Sequence, residues 1–306
     1  MRTAFVKTLI ECARKDSRII LLTGDLGFMA LEPFIKAFPK RYINAGVAEA
    51  NMIGMAAGLA SAGKKVFVYS IIPFVTMRCL EQIRNDVCYH NFDVKIVGVG
   101  SGYSYSYLGA THHAIEDMGA LRSLPNLRIV SPGDPLEVEL SVRTLVKEKG
   151  PFYLRLGKRG EPVLHKKMPK FKLGQAIIMK NGKDASLLSS GSVLINALKA
   201  SEELEKEGLK VTLVSMPFIK PIDSATVKNL AKKTKVVVTI EEHNIIGGLG
   251  SAVAEIIAGS PHKPAFMRLG VDDYFVSKIG SQEYLKEKAG LSVGNIVKTV
   301  KNLLRK

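Results

Sequence analysis

The chain has 306 residues, which at about 100–200 residues per domain predicts two domains. Hydrophobic residues make up 46% and no apolar run is long enough to span a bilayer, so both a disordered chain and a helical membrane protein are excluded. Lys and Arg (44) exceed Asp and Glu (28), a net charge of +16. Without a dense Arg-rich run or interleaved aromatics, that charge predicts a basic surface for a phosphorylated substrate or an acidic partner chain, not nucleic acid.

The N-terminal MRTAFVKTLIECARKD places apolar residues at helical spacing and predicts a helix over 3–14; it has neither the apolar stretch nor the cleavage site of a signal peptide. RIILLTGD reads as a buried strand ending in a Gly-Asp turn. RYINAG is strand-like and leads into a helix over 48–62. KVFVYS is a strand, followed by a helix over MRCLEQIRNDVCY (77–89). KIVGVGS and LRIVSP are buried strands, PLEVELSVRTLVKEKG is an amphipathic helix stopped by Gly150 and Pro151, and FYLRLGKR is a strand. The Lys-, Pro- and Gly-rich GKRGEPVLHKKMPKFKL (157–173) has no period and reads as a linker. Strands ASLLSSG, KVTLVSM and KVVVTIEE then restart the alternation. The predicted fold is α/β, with two domains (1–160 and 175–306) joined by a linker at 161–174, each a mostly parallel sheet flanked by helices. Ligands of such sheets sit beyond the carboxyl ends of the strands, here near Gly24-Asp25, Gly46, Ser70, Gly100 and Arg155. Cys12, Cys79 and Cys88 form no CxxC pair, which predicts a reducing cytoplasm.

Within NAGVAEANMIGMAAGLASAG, Glu49 falls in the first turn of a helix, where a carboxylate complements the helix dipole. Gly46, Gly54 and Gly58 predict that this helix packs tightly on another backbone. A carboxyl buried there favours its protonated form and can serve as an acid–base group. Ile71, Phe74 and Met77 recur at three-residue spacing, as a core stripe would. SGYSYSYLGATHHAIED is a polar loop suited to reading hydroxyls. Its adjacent His112 and His113 cannot point the same way, and no second cluster at ligand spacing suggests a metal site. GGLGSA (247–252) imitates a dinucleotide loop, but the pattern puts Val253 where Gly or Ala is needed. TGDLG (23–27) reads as a turn at a strand end.

GDLG, NAGVAEANMIGMAAGLA, LEQIRND, GATHHAIEDMGALRSLPNLRIVSP, FYLRLGKR and EEHNIIGGLGSA follow one another across nearly the whole chain. In that order they resemble the C-terminal half of transketolase, its pyrimidine-binding domain followed by its C-terminal domain, and above all the split transketolases encoded by two genes. The resemblance implies thiamine diphosphate as cofactor. Glu49 matches the Glu that shares a proton with N1′ of the aminopyrimidine and so promotes loss of the C2 proton. Ile71, Phe74 and Met77 match positions facing the pyrimidine, often all aromatic in the family. Asp25 matches an acid near the thiazolium. His112 matches a His that contacts substrate oxygens, and Arg155 an Arg that grips a sugar phosphate. Leu108 stands where the family commonly has Asp, and Gly100 where it has a second His, so the donor is expected not to be selected by the usual hydroxyl contacts. The family motif that holds Mg²⁺ and the diphosphate has no counterpart in the sequence. The resemblance therefore implies an N-terminal partner subunit carrying the magnesium ligands, in a heterotetramer built on a dimer of this chain. The implied reaction moves a two-carbon ketol unit from a ketose to an aldose, both phosphosugars. Two other readings remain at this point: the β subunit of a 2-oxo acid dehydrogenase E1 component, which shares the two domains and the Glu, and a non-catalytic relative of the fold.

Overall fold

Strands of a parallel sheet covered on both faces carry near-continuous apolar runs, and the predicted segments hold such runs, interrupted or ended by a few polar residues. The computed structural model describes residues 1–158 and 160–305; Arg159, the last residue of the FYLRLGKR reading, and Lys306 lie outside the described residues. The strands are β1 (Ile19–Thr23), β2 (Tyr42–Asn44), β3 (Lys65–Ile71), β4 (Val94–Val99), β5 (Arg128–Val130), β6 (Phe152–Leu156), β7 (Ile177–Lys180), β8 (Ala185–Ser190), β9 (Val211–Ser215), β10 (Phe218–Lys220), β11 (Val236–Asn244) and β12 (Ala265–Val271). They form two sheets, ordered β10-β5-β6-β4-β3-β1-β2 and β12-β11-β8-β9-β7. Within each sheet every pairing is parallel except at one edge, where β10 and β7 run antiparallel to their neighbours.

On one face of the first sheet, Phe5 and Leu9 of helix Arg2–Lys15 and Val138 and Val142 of helix Pro135–Lys147 pack on Leu21, Phe67 and Leu154. On the other face, Ile53 and Ala56 of helix Glu49–Ser61 cover Val68 and Ile96. In the second sheet Leu187, Leu213 and Val238 meet Leu194, Ala197 and Ile296 from flanking helices. The helix predicted over 77–89 is observed as Leu80–Gln82 continuing into a widened π-helical stretch, Ile83–Tyr89.

Three strands escape the sequence reading: β7, β10 and β12. β10 has only three residues, and it lies beyond the linker yet pairs with β5 of the first sheet, Phe218 opposite Val130. One edge of the first sheet is therefore completed by the second half of the chain.

The linker is anchored. Asp134 caps helix Pro135–Lys147 by accepting from the Glu137 N–H (2.8 Å), and its other oxygen accepts from the N–H groups of Leu164 (2.8 Å) and His165 (3.2 Å). Glu137 accepts from the Gly133 N–H at 2.6 Å and lies 2.7 Å from His165 Nε2. These three side chains have the grouping of a metal site, but each carboxylate oxygen already serves a protein donor, and the cluster fastens the linker to the first domain. Burial alone would depress His165, but its hydrogen bond to Glu137 and the charges of Glu137 and Asp134 hold it above its ordinary value. A raised folded value contributes stability that is complete below the ordinary value of about 6.5 and is lost as pH rises through the folded value. Urea unfolding at about pH 6 and about pH 9 should show the wild type losing more stability over that interval than His165→Gln. Equal losses would mean that His165 docks as the neutral ring.

Candidate active site

The carboxyl ends of β1, β2, β3, β4 and β6 lie side by side, so the loops that leave them share one rim. After β1 the chain turns through Asp25, whose φ of 55° is left-handed. Asn44, the last residue of β2, fixes that turn: its side chain accepts from the N–H of Asp25 (2.9 Å) and of Gly46 (3.0 Å) and donates to the Asp25 carboxylate (2.8 Å). Asp25 itself is exposed. Glu49 then opens its helix with its side chain buried, 1% exposed. It lies against the end of β1 because Gly24 has no side chain; a Cβ there would stand 3.3 Å from Glu49 Cγ. Ser70 Oγ approaches Oε1 at 3.4 Å, and Arg78 Nη1 donates to Oε2 at 2.6 Å. Gly54 and Gly58 do not meet another backbone: a Cβ on either would find nothing within 4 Å. The tight packing expected of this helix is not made within the chain, and its glycine face stays open.

Ile71, at the end of β3, is buried; Phe74, on the short helix Ile72–Thr76 that follows, and Met77, which caps its C-terminus, are half-buried. The Arg78 guanidinium lies 4.7 Å over the Phe74 ring, and the His112 ring meets Phe74 edge-on, with centroids 5.1 Å apart. Glu49, Arg78, Phe74 and His112 thus form one connected group. Arg78 was missed by the sequence reading; its position four residues after Phe74, one helical turn, was the available signal.

The loop after β4 is pinched by an antiparallel bridge between Gly102 and Ala114. His113 is buried with its ring 5.1 Å from that of Tyr103, while His112 lies on the Phe74 side, so the adjacent histidines diverge as expected. Burial holds His112 below its ordinary value, which leaves the ring neutral near pH 7. Leu108 is 53% exposed. Gly100 has φ +94°, and a Cβ on it would collide with the ring of Tyr105. That ring also stands 6.3 Å from the His112 ring and lies beneath Lys158 Nζ at 4.5 Å.

Arg155 departs from expectation. It is 2% exposed, and its guanidinium donates to Asp117 (2.8 Å from Nε, 3.3 Å from Nη2), to the Ala114 carbonyl (2.6 Å) and to the Glu242 carbonyl (3.1 Å). A guanidinium so occupied does not present a fork to a sugar phosphate. Its place at a strand end suggested otherwise because β6 alternates, and this residue points inward to the second domain. The Gly-rich turn at 247–250 is equally committed: the N–H groups of Leu249 and Gly250, which a phosphate would seek, both donate to the buried Glu241 carboxylate at 2.7 Å. Gly247 approaches Gly119 of the first domain so closely that a Cβ would lie 2.6 Å from its Cα. Beside it the Gly119 N–H donates to His243 Nε2 at 3.2 Å; burial pushes His243 down to about 4, keeping it a neutral acceptor.

The model of the transketolase pyrimidine-binding domain matches residues 1–161, and that of the transketolase C-terminal domain matches residues 174–296. The chain belongs to the transketolase family. It is 36% identical to one of the subunits of an apulose-4-phosphate transketolase of Actinobacillus succinogenes, covering 95% of this chain and 94% of the relative. It is 37% identical to the 6-deoxy-6-sulfo-D-fructose transketolase subunit SqwH of a Clostridium species, covering 97% and 92%. A solved split-gene transketolase, described as an inactive β4 tetramer, superposes with a TM-score of 0.90 at 37% identity over 99% of this chain and 97% of that one. In this transketolase-family chain the Arg155–Asp117 pair lies within the first matched region, and the bond from Arg155 to the Glu242 carbonyl ties it to the second. Replacing Arg155 by Met leaves Asp117 buried and unpaired, a loss of about 3–5 kcal/mol in urea unfolding. Near wild-type stability of Arg155→Met would return Arg155 to a role at the substrate.

Proposed function

We propose that this chain is the pyrimidine-side subunit of a split transketolase, moving a two-carbon ketol unit from a ketose to an aldose once joined to an N-terminal subunit. The observation that carries this reading is Glu49, a buried carboxyl at the strand ends with an apolar wall beside it. Those residues fit the aminopyrimidine half of thiamine diphosphate: Ile71, Phe74 and Met77 would face the ring, and Gly24 leaves the carboxyl room against the sheet. When bound, the cofactor supplies a nucleophilic carbon that carries the ketol unit between sugars. Glu49 would hold a proton at N1′, with Ser70 beside one oxygen and Arg78 against the other. Arg78 is half-exposed, so it can turn aside when a ring approaches. Neutral His112 can donate to or accept from the oxygens of the donor sugar. Asp25 borders the same rim.

The diphosphate and Mg²⁺ would be held by the partner, because here the Gly-rich turn and the Asp134–Glu137–His165 cluster are already engaged. Phe28 and Met29, in the loop after β1, and Val47, just before the Glu49 helix, are exposed at 72%, 94% and 74%, and exposed apolar surface of this kind marks interaction sites. The open Gly54–Gly58 face adds room for a close approach, by the partner or by a second copy in a heterotetramer. A charge of +16 suits an acidic partner. The named relatives act on sugars bearing a phosphate or a sulfonate. Arg2 and Lys158 both line a cavity of about 650 Å³ that also touches Phe28 and Met29, and such a group entering it would meet these two cations. Three free cysteines suit a reducing cytoplasm, and no helix is long and apolar enough to cross a membrane.

Glu49→Gln tests the assignment. Gln keeps the shape but cannot share a proton as a carboxyl does. With the N-terminal subunit, thiamine diphosphate and Mg²⁺ present, hydrogen–deuterium exchange at the cofactor C2 should slow by at least ~10²-fold while folding is retained. Exchange at the wild-type rate would leave Glu49 as a helix-dipole residue.

A further inference from the structure

Three tyrosines alternate along the loop after β4, and they go to three different places. Tyr103 is wholly buried, and its N–H donates to Glu242 at 2.8 Å. Tyr107 is 69% exposed. Tyr105 turns to the rim. Its ring takes up the space that any side chain at position 100 would need, and the left-handed backbone of Gly100 separately disfavours one. An imidazole at Gly100 and the ring of Tyr105 are therefore mutually exclusive.

The contacts of Tyr105 also give it a rank along the site. Phe74 touches His112 (5.1 Å), His112 faces Tyr105 (6.3 Å), and Tyr105 carries Lys158 over its face (4.5 Å). The run begins at the side chain assigned to the cofactor and ends at a cation. In ketol transfer the bond that breaks must lie against the cofactor, hence near Phe74 and His112, and an anionic tail lies toward Lys158. Between them, opposite Tyr105, falls the middle of the donor.

Resting on the ketol-transfer reading, we propose that Tyr105 is a specificity-determining residue, whose phenol hydrogen-bonds the donor hydroxyl next beyond the two carbons of the cleaved bond. In a ketose this is the C4 hydroxyl. A phenol both donates and accepts, and a site built to bond a hydroxyl discriminates against a sugar that misplaces it, because the buried polar group is left unpaired. Leu108 contributes no such contact. Selectivity lost at positions 100 and 108 is in this way recovered from a residue between them in sequence.

The test compares fructose 6-phosphate with its C4 epimer, tagatose 6-phosphate, as donors for the assembled complex. The wild type should favour one epimer by about tenfold or more in kcat/KM. Tyr105→Phe, which keeps the ring and the fold, should bring the ratio within about twofold, mainly through KM for the preferred epimer. Tyr105→His, which restores a hydrogen-bonding ring, should recover part of the ratio, and Tyr107→Phe should leave it unchanged. A wild-type ratio near one, or an undiminished ratio in Tyr105→Phe, overturns the assignment of Tyr105 alone, provided that wild-type C2 exchange is seen in the same complex. Absence of that exchange in the wild type overturns the ketol-transfer reading and this inference with it.

Discussion

Arg155 sits wholly inside the molecule, and four parts of the structure meet on its one guanidinium. It leaves the end of β6, pairs with Asp117 at the start of helix Asp117–Arg122, takes the Ala114 carbonyl that closes the His112 loop, and takes the Glu242 carbonyl of β11 in the second sheet. Tyr153 O–H adds a bond to the same Asp117 carboxylate at 2.6 Å. Breaking a buried pair of this kind costs far more than removing an exposed one, since the remaining charge has no solvent. The loop that presents His112 and Tyr105 is thus held by the same contact that docks the second domain. β10 repeats the linkage by crossing to pair with β5. The two halves of the chain are therefore a single mechanical unit, although each has its own sheet.

The rim carries what we propose is one side of a site. Glu49 is buried among residues of this chain, while the loops after β1 and β2 expose Phe28, Met29 and Val47 and the Glu49 helix leaves its Gly54–Gly58 face open. Folding alone does not leave such residues exposed together without a reason. The same side chains that look misplaced in an isolated subunit are suited to contact with another chain, and the charge surplus of this one favours association with an acidic surface. The family membership and the incomplete rim support the same conclusion from independent directions.

The sheet strands were legible because a parallel strand buried on both faces carries a near-continuous apolar run: β1, β3, β4, β6, β8, β9 and β11 each hold one, even where Ser, Arg or Glu interrupts or ends it. β7, β10 and β12 were not legible. All three are edge strands whose partners are fixed by tertiary contact, and β10 pairs across the domain boundary, which no local pattern encodes. At the site, Glu49, Phe74 and His112 were readable from their motifs, and the structure brings them together with Arg78. Arg155 was misread because a strand-end arginine looks the same whether it faces a ligand or a buried aspartate. Tyr105 was seen only as one of three tyrosines; which of them faces the rim depends on the bridge at Gly102–Ala114 and on the space at Gly100.

The central claim is that this chain holds half of a cofactor site. Titration calorimetry of thiamine diphosphate with Mg²⁺ measures it directly, first on the purified chain and then after the N-terminal subunit is added. The account predicts no saturable heat from the chain alone with cofactor at about 1 mM, and binding at least ~100-fold tighter once the partner is present, a difference of about 2.7 kcal/mol. Equally tight binding by the chain alone, with ketol transfer and no second polypeptide, would contradict it.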